Sequence, residues 1–288
     1  LQFTIGMGGV HVTTTDFFIP RSIDEAVGLL GQHGADLVVM GGGTIVMGMV
    51  NDGLLFPAQA MSLARAGIDG VREADGAIEI GAATTIARLA QLDRLPILAQ
   101  AASMVGAPAV RTMATVGGNL FAAPPYGDIG VPLLALDAQV ELAGPHGRRR
   151  LPLDQFFTGL GQTARAADEL VVALHVPNSA GQAAYMRYGR RHANTPAVVA
   201  VAARVVLSAA GVVADARIAL GAAGPHPLRA RQAEAALVGQ PLNESSIAAS
   251  AQAAQAECNP ATDALATDWY RRRMVGVYVR RALENCRL

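Results

Sequence analysis

The run Leu37-Val38-Val39-Met40-Gly41-Gly42-Gly43-Thr44 carries a short apolar strand straight into three glycines and a hydroxyl. A second segment of the same kind stands well downstream, Thr115-Val116-Gly117-Gly118-Asn119. Glycine lets the main chain approach a charged oxygen with no Cβ in the way, and successive N–H groups form an anion-binding concavity. Together the two segments have the parts needed to clasp one diphosphate from two sides. The plain alternative is a pair of tight turns at strand ends. Neither segment has the Gly-x-Gly-x-x-Gly spacing of a dinucleotide-binding βαβ unit, so such a phosphate would lie between two loops rather than on one helix.

Working outward, residues 18–40 read as strand entry, helix and strand. Ser22 and Glu25 form a capping box for a helix over residues 23–32, which His33-Gly34 ends. Alternation predicts a hairpin over residues 70–81 around Ala74-Asp75-Gly76. Helices follow over residues 86–92, 98–105 and 127–136. A second hairpin turns at Gly144-Pro145-His146-Gly147, and a strand over residues 170–176 stops at Pro177-Asn178. The pattern then changes to three antiparallel strands, residues 183–190, 198–208 and 212–220, with His192-Ala193-Asn194-Thr195-Pro196 joining the first two. Alanine-rich helices follow over residues 229–238, 245–256 and 268–284. The boundary falls near residues 177–182, dividing a mixed α/β part from an antiparallel sheet with helices on it.

Composition narrows the chemistry. The chain has 288 residues, 51% of them hydrophobic and 16% charged, enough to bury two cores. Its 23 basic residues are all arginine and balance 23 acidic ones, so no global field favours nucleic acid. Without lysine there is no Walker-type phosphate loop and no Schiff-base chemistry. Two cysteines, Cys258 and Cys286, and six histidines without ligand spacing do not make a cluster or metal site. A disulfide between the two cysteines stays open; two buried thiols are the expectation. The arginine runs at residues 148–150, 190–191, 271–273 and 280–281 read as solvated faces or partner salt bridges, with no aromatic stacking platform beside them. The last helix is expected to have Tyr270, Met274, Val277 and Leu283 as its apolar side, a face that suits an interface. Residues 1–14 make a poor signal peptide and no stretch spans a bilayer, so a cytoplasmic protein is expected.

The segments Gly42-Gly43-Thr44 and Thr115-Val116-Gly117-Gly118-Asn119, with Asp128 downstream, resemble the signature of the flavin-binding medium subunits of the molybdenum hydroxylases, the xanthine and carbon monoxide dehydrogenase family. The resemblance spans residues 16–285, because Trp269-Tyr270-Arg271-Arg272-Arg273 through Leu283 is similar to that family's last helix. It implies an α+β fold: a two-lobed FAD-binding α/β domain over residues 16–177, then a three-stranded antiparallel sheet with a helical bundle over residues 182–286. It implies that Met40, Gly41, Gly42, Gly43, Thr44, Ile45 and Val46 lie along the FAD diphosphate, with Thr115, Val116, Gly117, Gly118 and Asn119 closing from the other side. Asp128 would accept hydrogen bonds from the adenosine end, or cap the helix after it. Val171 would present backbone to the adenine or the ring. Arg187 stands where many relatives carry a lysine near the flavin ring, or is a plain exposed strand residue. Ile45 and Asn51 depart from the family's usual acid or polar residue and lysine.

The resemblance further implies an electron-transfer subunit without catalytic residues of its own. A small subunit would carry [2Fe-2S] clusters and a large one molybdopterin, in a dimer of heterotrimers without nucleic acid. Electrons would pass to an external acceptor while an N-heteroaromatic, aldehyde, carbon monoxide or purine substrate is hydroxylated. A self-contained FAD oxidoreductase of related fold and a cofactor-free scaffold are the alternatives. Activity of the chain alone would mark the first, a colourless preparation the second.

Overall fold

A computed structural model describes residues 3–7, 10–14, 16–74, 76–122, 127–191 and 194–287. Asp75 in the first hairpin's turn, His192 and Ala193 in the loop before the long strand, and four residues of the N-terminal run lie outside the described residues. Among those described, no helix is long and apolar enough to cross a membrane.

Three parallel strands, Asp16–Phe18, Gln59–Ser62 and Leu37–Met40, make a sheet with Gln59–Ser62 in the middle. The crossover between the outer two is the helix Ile23–His33, which buries Ala26, Val27 and Leu30 and ends at Gly34 with φ 56°. Ser22 accepts the Glu25 N–H at 3.1 Å, as its position predicts. The Glu25 carboxylate reaches one residue further back than a capping box requires and accepts the Arg21 N–H at 2.7 Å. Nothing in Gln59-Ala60-Met61-Ser62 marks a strand locally, because its ends are polar; two flanking strands create it.

A five-stranded antiparallel sheet follows, in the order Val71–Ala74, Ala77–Gly81, Leu170–Pro177, Gln139–Gly144, Gly147–Pro152. Its central strand is buried from Leu170 to Val176, which explains an apolar run that only His175 interrupts. Charges are tied across this sheet. Glu141 accepts from Arg150 at 2.8 Å and Arg148 at 3.1 Å, and meets His175 Nε2 at 2.8 Å. Burial alone would raise the Glu141 carboxyl, but the hydrogen bonds from Arg150, His175 and Arg148 outweigh it and hold the group below its ordinary 4.5. A carboxyl held low in the fold stabilises above its unfolded value, and that contribution fades as pH falls through the folded one. Glu141→Gln is therefore expected to cost roughly 1–3 kcal/mol at neutral pH. It should also flatten the loss of stability below about pH 4.5; thermal unfolding of both proteins across acid pH measures this. An unchanged acid limb would show that Glu141 carries none of it.

The last part of the chain pairs Gln182–Gly189, Ala197–Leu207, Val213–Gly221 and the two-residue Leu228–Arg229 in that order. Arg229 was expected to open a helix; it pairs with Ala219 instead, and the helix is the shorter Arg231–Ala235. Helices Glu244–Glu257 and Asp268–Asn285 cover one face of this sheet and form the second core with Val199, Val201, Ile218 and Leu220. The opposite face turns Tyr185, Ala200, Ala202 and Ala219 into the first core. There the helix Gly130–Ala135 has all six residues buried, apolar all round as its position between the C-terminal sheet and neighbouring helices demands. It starts three residues later than expected. Helices Ile86–Leu89 and Pro96–Met104 are likewise shifted or trimmed at their ends.

The final helix packs inward mostly with residues other than those of its expected apolar side, Leu283 belonging to both. It buries Arg271, Val275, Gly276, Val279, Ala282 and Leu283. Arg271 is only 1% exposed. Its Nη2 donates to both Asp263 oxygens at 2.8 Å and its Nη1 to the Val198 carbonyl at 2.9 Å. This arginine is internal and not part of a solvated face, and it is affordable there because a carboxylate and a carbonyl replace the lost water. Cys258 and Cys286 are free and buried; burial pushes the Cys286 thiol up to about 12, which makes it chemically quiet.

Candidate cofactor site

The strand Leu37–Met40 ends where the glycines begin, and a short helix, Val46–Asn51, follows. Two cavities of about 680 Å³ and 670 Å³ open on either side of this bend, and Met40, Gly41, Gly42, Gly43 and Val46 line both. Each lies within the range of about 300–1,000 Å³ usual for ligand pockets. The first is walled by Leu37, Val39, Val105, Phe121 and Leu170, the second by Phe17, Met47, Val50 and Pro57. Both are predominantly apolar, as a site for flat ring systems should be.

The second glycine segment is the first turn of a helix, Val116–Leu120, and not an open loop. Thr115 caps it, accepting the Gly118 N–H at 3.1 Å, so this hydroxyl oxygen already serves the fold. Val116 N–H donates to Thr84 O at 2.9 Å and Gly117 N–H to Ala82 O at 2.8 Å. Asn119 Oδ1 accepts the Ile129 N–H at 3.0 Å and so holds the start of the buried helix.

The glycines do more than clear space for a ligand. A Cβ on Gly42 would stand 1.6 Å from the Met113 carbonyl oxygen, and one on Gly41 2.3 Å from Thr115 Oγ1. One on Gly117 would meet Ala82 Cβ at 2.9 Å. Gly43 has φ 71°, a conformation side chains disfavour. The first segment therefore packs on the backbone of Met113 and Ala114, just before the second, and on the Thr115 side chain that opens it. Among the described residues, the N–H groups of Gly42, Gly43, Thr44, Ile45 and Val46 donate to no protein acceptor, and the Thr44 hydroxyl has no protein partner. Five successive free donors beside two apolar cavities suit an elongated ligand with an anionic middle and a ring at each end.

Twelve of the fifteen residues singled out from sequence line the first cavity: the seven of residues 40–46, with Thr115, Gly117, Gly118, Asn119 and Val171. Val116 is fully buried behind it. Asp128 and Arg187 line neither cavity. They pair with each other, Arg187 Nε donating to Asp128 Oδ1 at 3.0 Å, while Arg187 Nη2 donates to the Thr195 carbonyl. Arg187 is thus a buried residue, not an exposed one, and Asp128 does not cap the helix, whose N-cap Ile129 has no side-chain bond. Burial raises the Asp128 carboxyl even against the lowering effect of Arg187. The Tyr185 hydroxyl beside them is fully buried and faces the Asp128 carboxylate. Burial, then the charge of Asp128, pushes it well above its ordinary value. Sequence reading also passed over wall residues such as Val105, Val110, Phe121 and Arg165. No local signal marks them, because their shared wall is made by helices and loops from separate parts of the chain.

The fold mixes helices and sheets, and its two apolar cavities share a wall of glycine backbone. Residues 12–179 match the family described as the FAD binding domain in molybdopterin dehydrogenase, and residues 183–286 the CO dehydrogenase flavoprotein C-terminal domain. The carbon monoxide dehydrogenase medium chain of Hydrogenophaga pseudoflava is 33% identical over 274 residues, covering 93% of this chain and 95% of that one. The alpha subunit of the 6-hydroxypseudooxynicotine dehydrogenase complex of Paenarthrobacter nicotinovorans is 30% identical, covering 93% of each. A solved carbon monoxide dehydrogenase structure from H. pseudoflava superposes with a TM-score of 0.90 at 34% identity, covering 94% of this chain and 96% of that one. The chain belongs to the family of FAD-binding medium subunits of the molybdenum hydroxylases. It is an oxidoreductase flavoprotein subunit of a multisubunit enzyme, and FAD is its cofactor.

Proposed function

We propose that residues 40–46 and 115–119 hold the FAD diphosphate from two sides, with one cavity for the adenosine end and the other for the flavin. Five unpartnered N–H groups beside the two cavities carry this assignment, and the fit is chemical: backbone donors and the Thr44 hydroxyl for phosphate oxygens, apolar walls for rings. Val171 contributes to the wall from the central strand, while Asp128 and Arg187 brace the start of the buried helix from behind. Residues 16–177 form the FAD-binding domain and residues 182–286 a C-terminal domain packed on it.

When bound, FAD supplies redox chemistry, passing electrons received from [2Fe-2S] clusters to an external acceptor. The chain binds and orients the cofactor and shields it from water. Arg165 and Asp69 are the only ionisable groups among the described residues lining the two cavities. Hydroxylation of an N-heteroaromatic, aldehyde, carbon monoxide or purine substrate belongs to a large molybdopterin subunit, with a small iron–sulfur subunit between. The assembly is a cytoplasmic dimer of such heterotrimers.

Titrating the apo chain with FAD, read by quenching of flavin fluorescence and by a rise in melting temperature, tests the assignment. Saturable binding with a higher melting temperature is expected. A chain that melts identically with and without FAD and leaves its fluorescence unchanged sinks it.

A further inference from the structure

We propose that Arg165 is a cofactor-binding residue whose guanidinium supplies the positive charge for the diphosphate, and so sets the preference for an anionic dinucleotide over an uncharged flavin. This rests on the assignment of the cavities to FAD. A diphosphate carries negative charge that is costly to take out of water uncompensated, and the two glycine segments offer dipoles but no charge. The chain has no lysine. Among the described residues lining either cavity, Arg165 is the only cation, and it shares the first cavity with Gly41, Gly42, Gly118 and Asn119.

The local geometry prepares the side chain. Arg165 stands in the loop between Gln162–Thr163 and Leu170–Pro177, and its Nη1 donates to the carbonyls of Ala166 at 2.8 Å, Ala167 at 3.2 Å and Glu169 at 2.6 Å. Three acceptors on one nitrogen fix the guanidinium plane. Nε and Nη2 have no protein acceptor among the described residues, leaving two donors in the fork geometry that suits a phosphate. The carboxylate of neighbouring Glu169 is engaged elsewhere, by Arg149 Nε at 2.7 Å and Nη2 at 2.8 Å. Burial lowers the Arg165 pKa, only partly offset by the charges of Glu169 and Asp168. A cation is thus held part-desolvated with no carboxylate bonded to it, a condition that a bound anion relieves.

The competing account is that Arg165 only staples its own loop. The two differ in what they do to charge selectivity. Full-length wild type, R165Q and R165K are titrated with FAD and with riboflavin, at low and high ionic strength, and each apo protein is melted. R165Q is expected to weaken FAD at least about tenfold, or ~1.4 kcal/mol. Riboflavin should stay within about threefold, and the salt dependence of FAD binding should become shallower. R165K, which keeps the charge, is expected to recover most of the FAD affinity. R165Q binding FAD like wild type, or weakening FAD and riboflavin equally, overturns the proposal. Should R165Q fail to fold, R165K and wild type decide. FAD affinity in wild type indifferent to salt, or R165K losing FAD tenfold, overturns it; retention with salt dependence supports it. If wild type binds neither flavin, the FAD assignment itself has failed; if only the R165Q contrast is missing, Arg165 alone has.

Discussion

Replacing Gly42 with alanine is expected to remove FAD retention and to destabilise the apo chain by about 3 kcal/mol or more, the upper end for overpacking. The added methyl would lie 1.6 Å from Met113 O and 2.3 Å from its carbonyl carbon. No flexible side chain can swing aside, because both obstacles are backbone. That backbone is itself tied down: Ile86 N–H donates to Ala114 O at 2.8 Å and Ala114 N–H to Val110 O at 2.7 Å. The contact must open, and the free donors of residues 42–46 then lose their alignment. Gly48→Ala is the control. A Cβ there meets nothing within 4 Å, and helix propensity favours alanine by up to about 1 kcal/mol. Thermal unfolding with flavin absorbance of the purified proteins separates the pair. G42A with wild-type stability and flavin content would mean that Gly42 does not pack on the Met113 backbone as described.

The second large effect is expected at Asp137, just after the buried helix. Its carboxylate gathers three arginines from the C-terminal sheet: Arg204 Nη2 at 2.8 Å, Arg217 Nε at 2.9 Å and Arg229 Nη1 at 3.0 Å. Arg204 and Arg229 keep only 7% and 6% of their side-chain surface exposed, while Asp137 keeps 33%. Breaking a fully buried pair costs about 3–5 kcal/mol, and the exposed carboxylate reduces that. Asp137→Asn is therefore expected to lose roughly 2 kcal/mol. Asparagine is the chosen replacement because residue 137 has φ 53°, which it tolerates and alanine does not. Arg229 retains Glu234 and Arg204 retains the Ala135 carbonyl at 3.1 Å, which limits the damage. Chemical denaturation of D137N checks the magnitude. A change below about 0.5 kcal/mol, the scale of ordinary surface substitutions, would show that the clasp contributes little to joining the two cores.

Local chemistry made several elements readable in advance. The Ser22 cap, the hairpin over residues 71–81, the turn between Gly144 and Gly147 and the long apolar strand after Pro196 each depend on neighbours a few residues away. The glycine segments were visible for the same reason, since a triple or paired glycine after an apolar run is a local signature. Their exact necessity was not. Gly42 is obligatory because of Met113, and Gly117 because of Ala82, contacts that no window of sequence contains.

The same limit separates the arginines. Residues 271–273 look alike in the chain, yet Arg271 is sealed against Asp263 while Arg273 lies over the Trp269 ring at 5.8 Å. Asp128 and Arg187 were each assigned a role toward the cofactor, and folding spends them on one another. Sequence alone determined the mixed architecture, because periodicity is local, and it carried the glycine motifs whose resemblance points to flavin-binding subunits. Only the tertiary structure decided which charges face the cavities and which are neutralised inside, since burial and pairing are properties of segments that meet in space from distant parts of the chain.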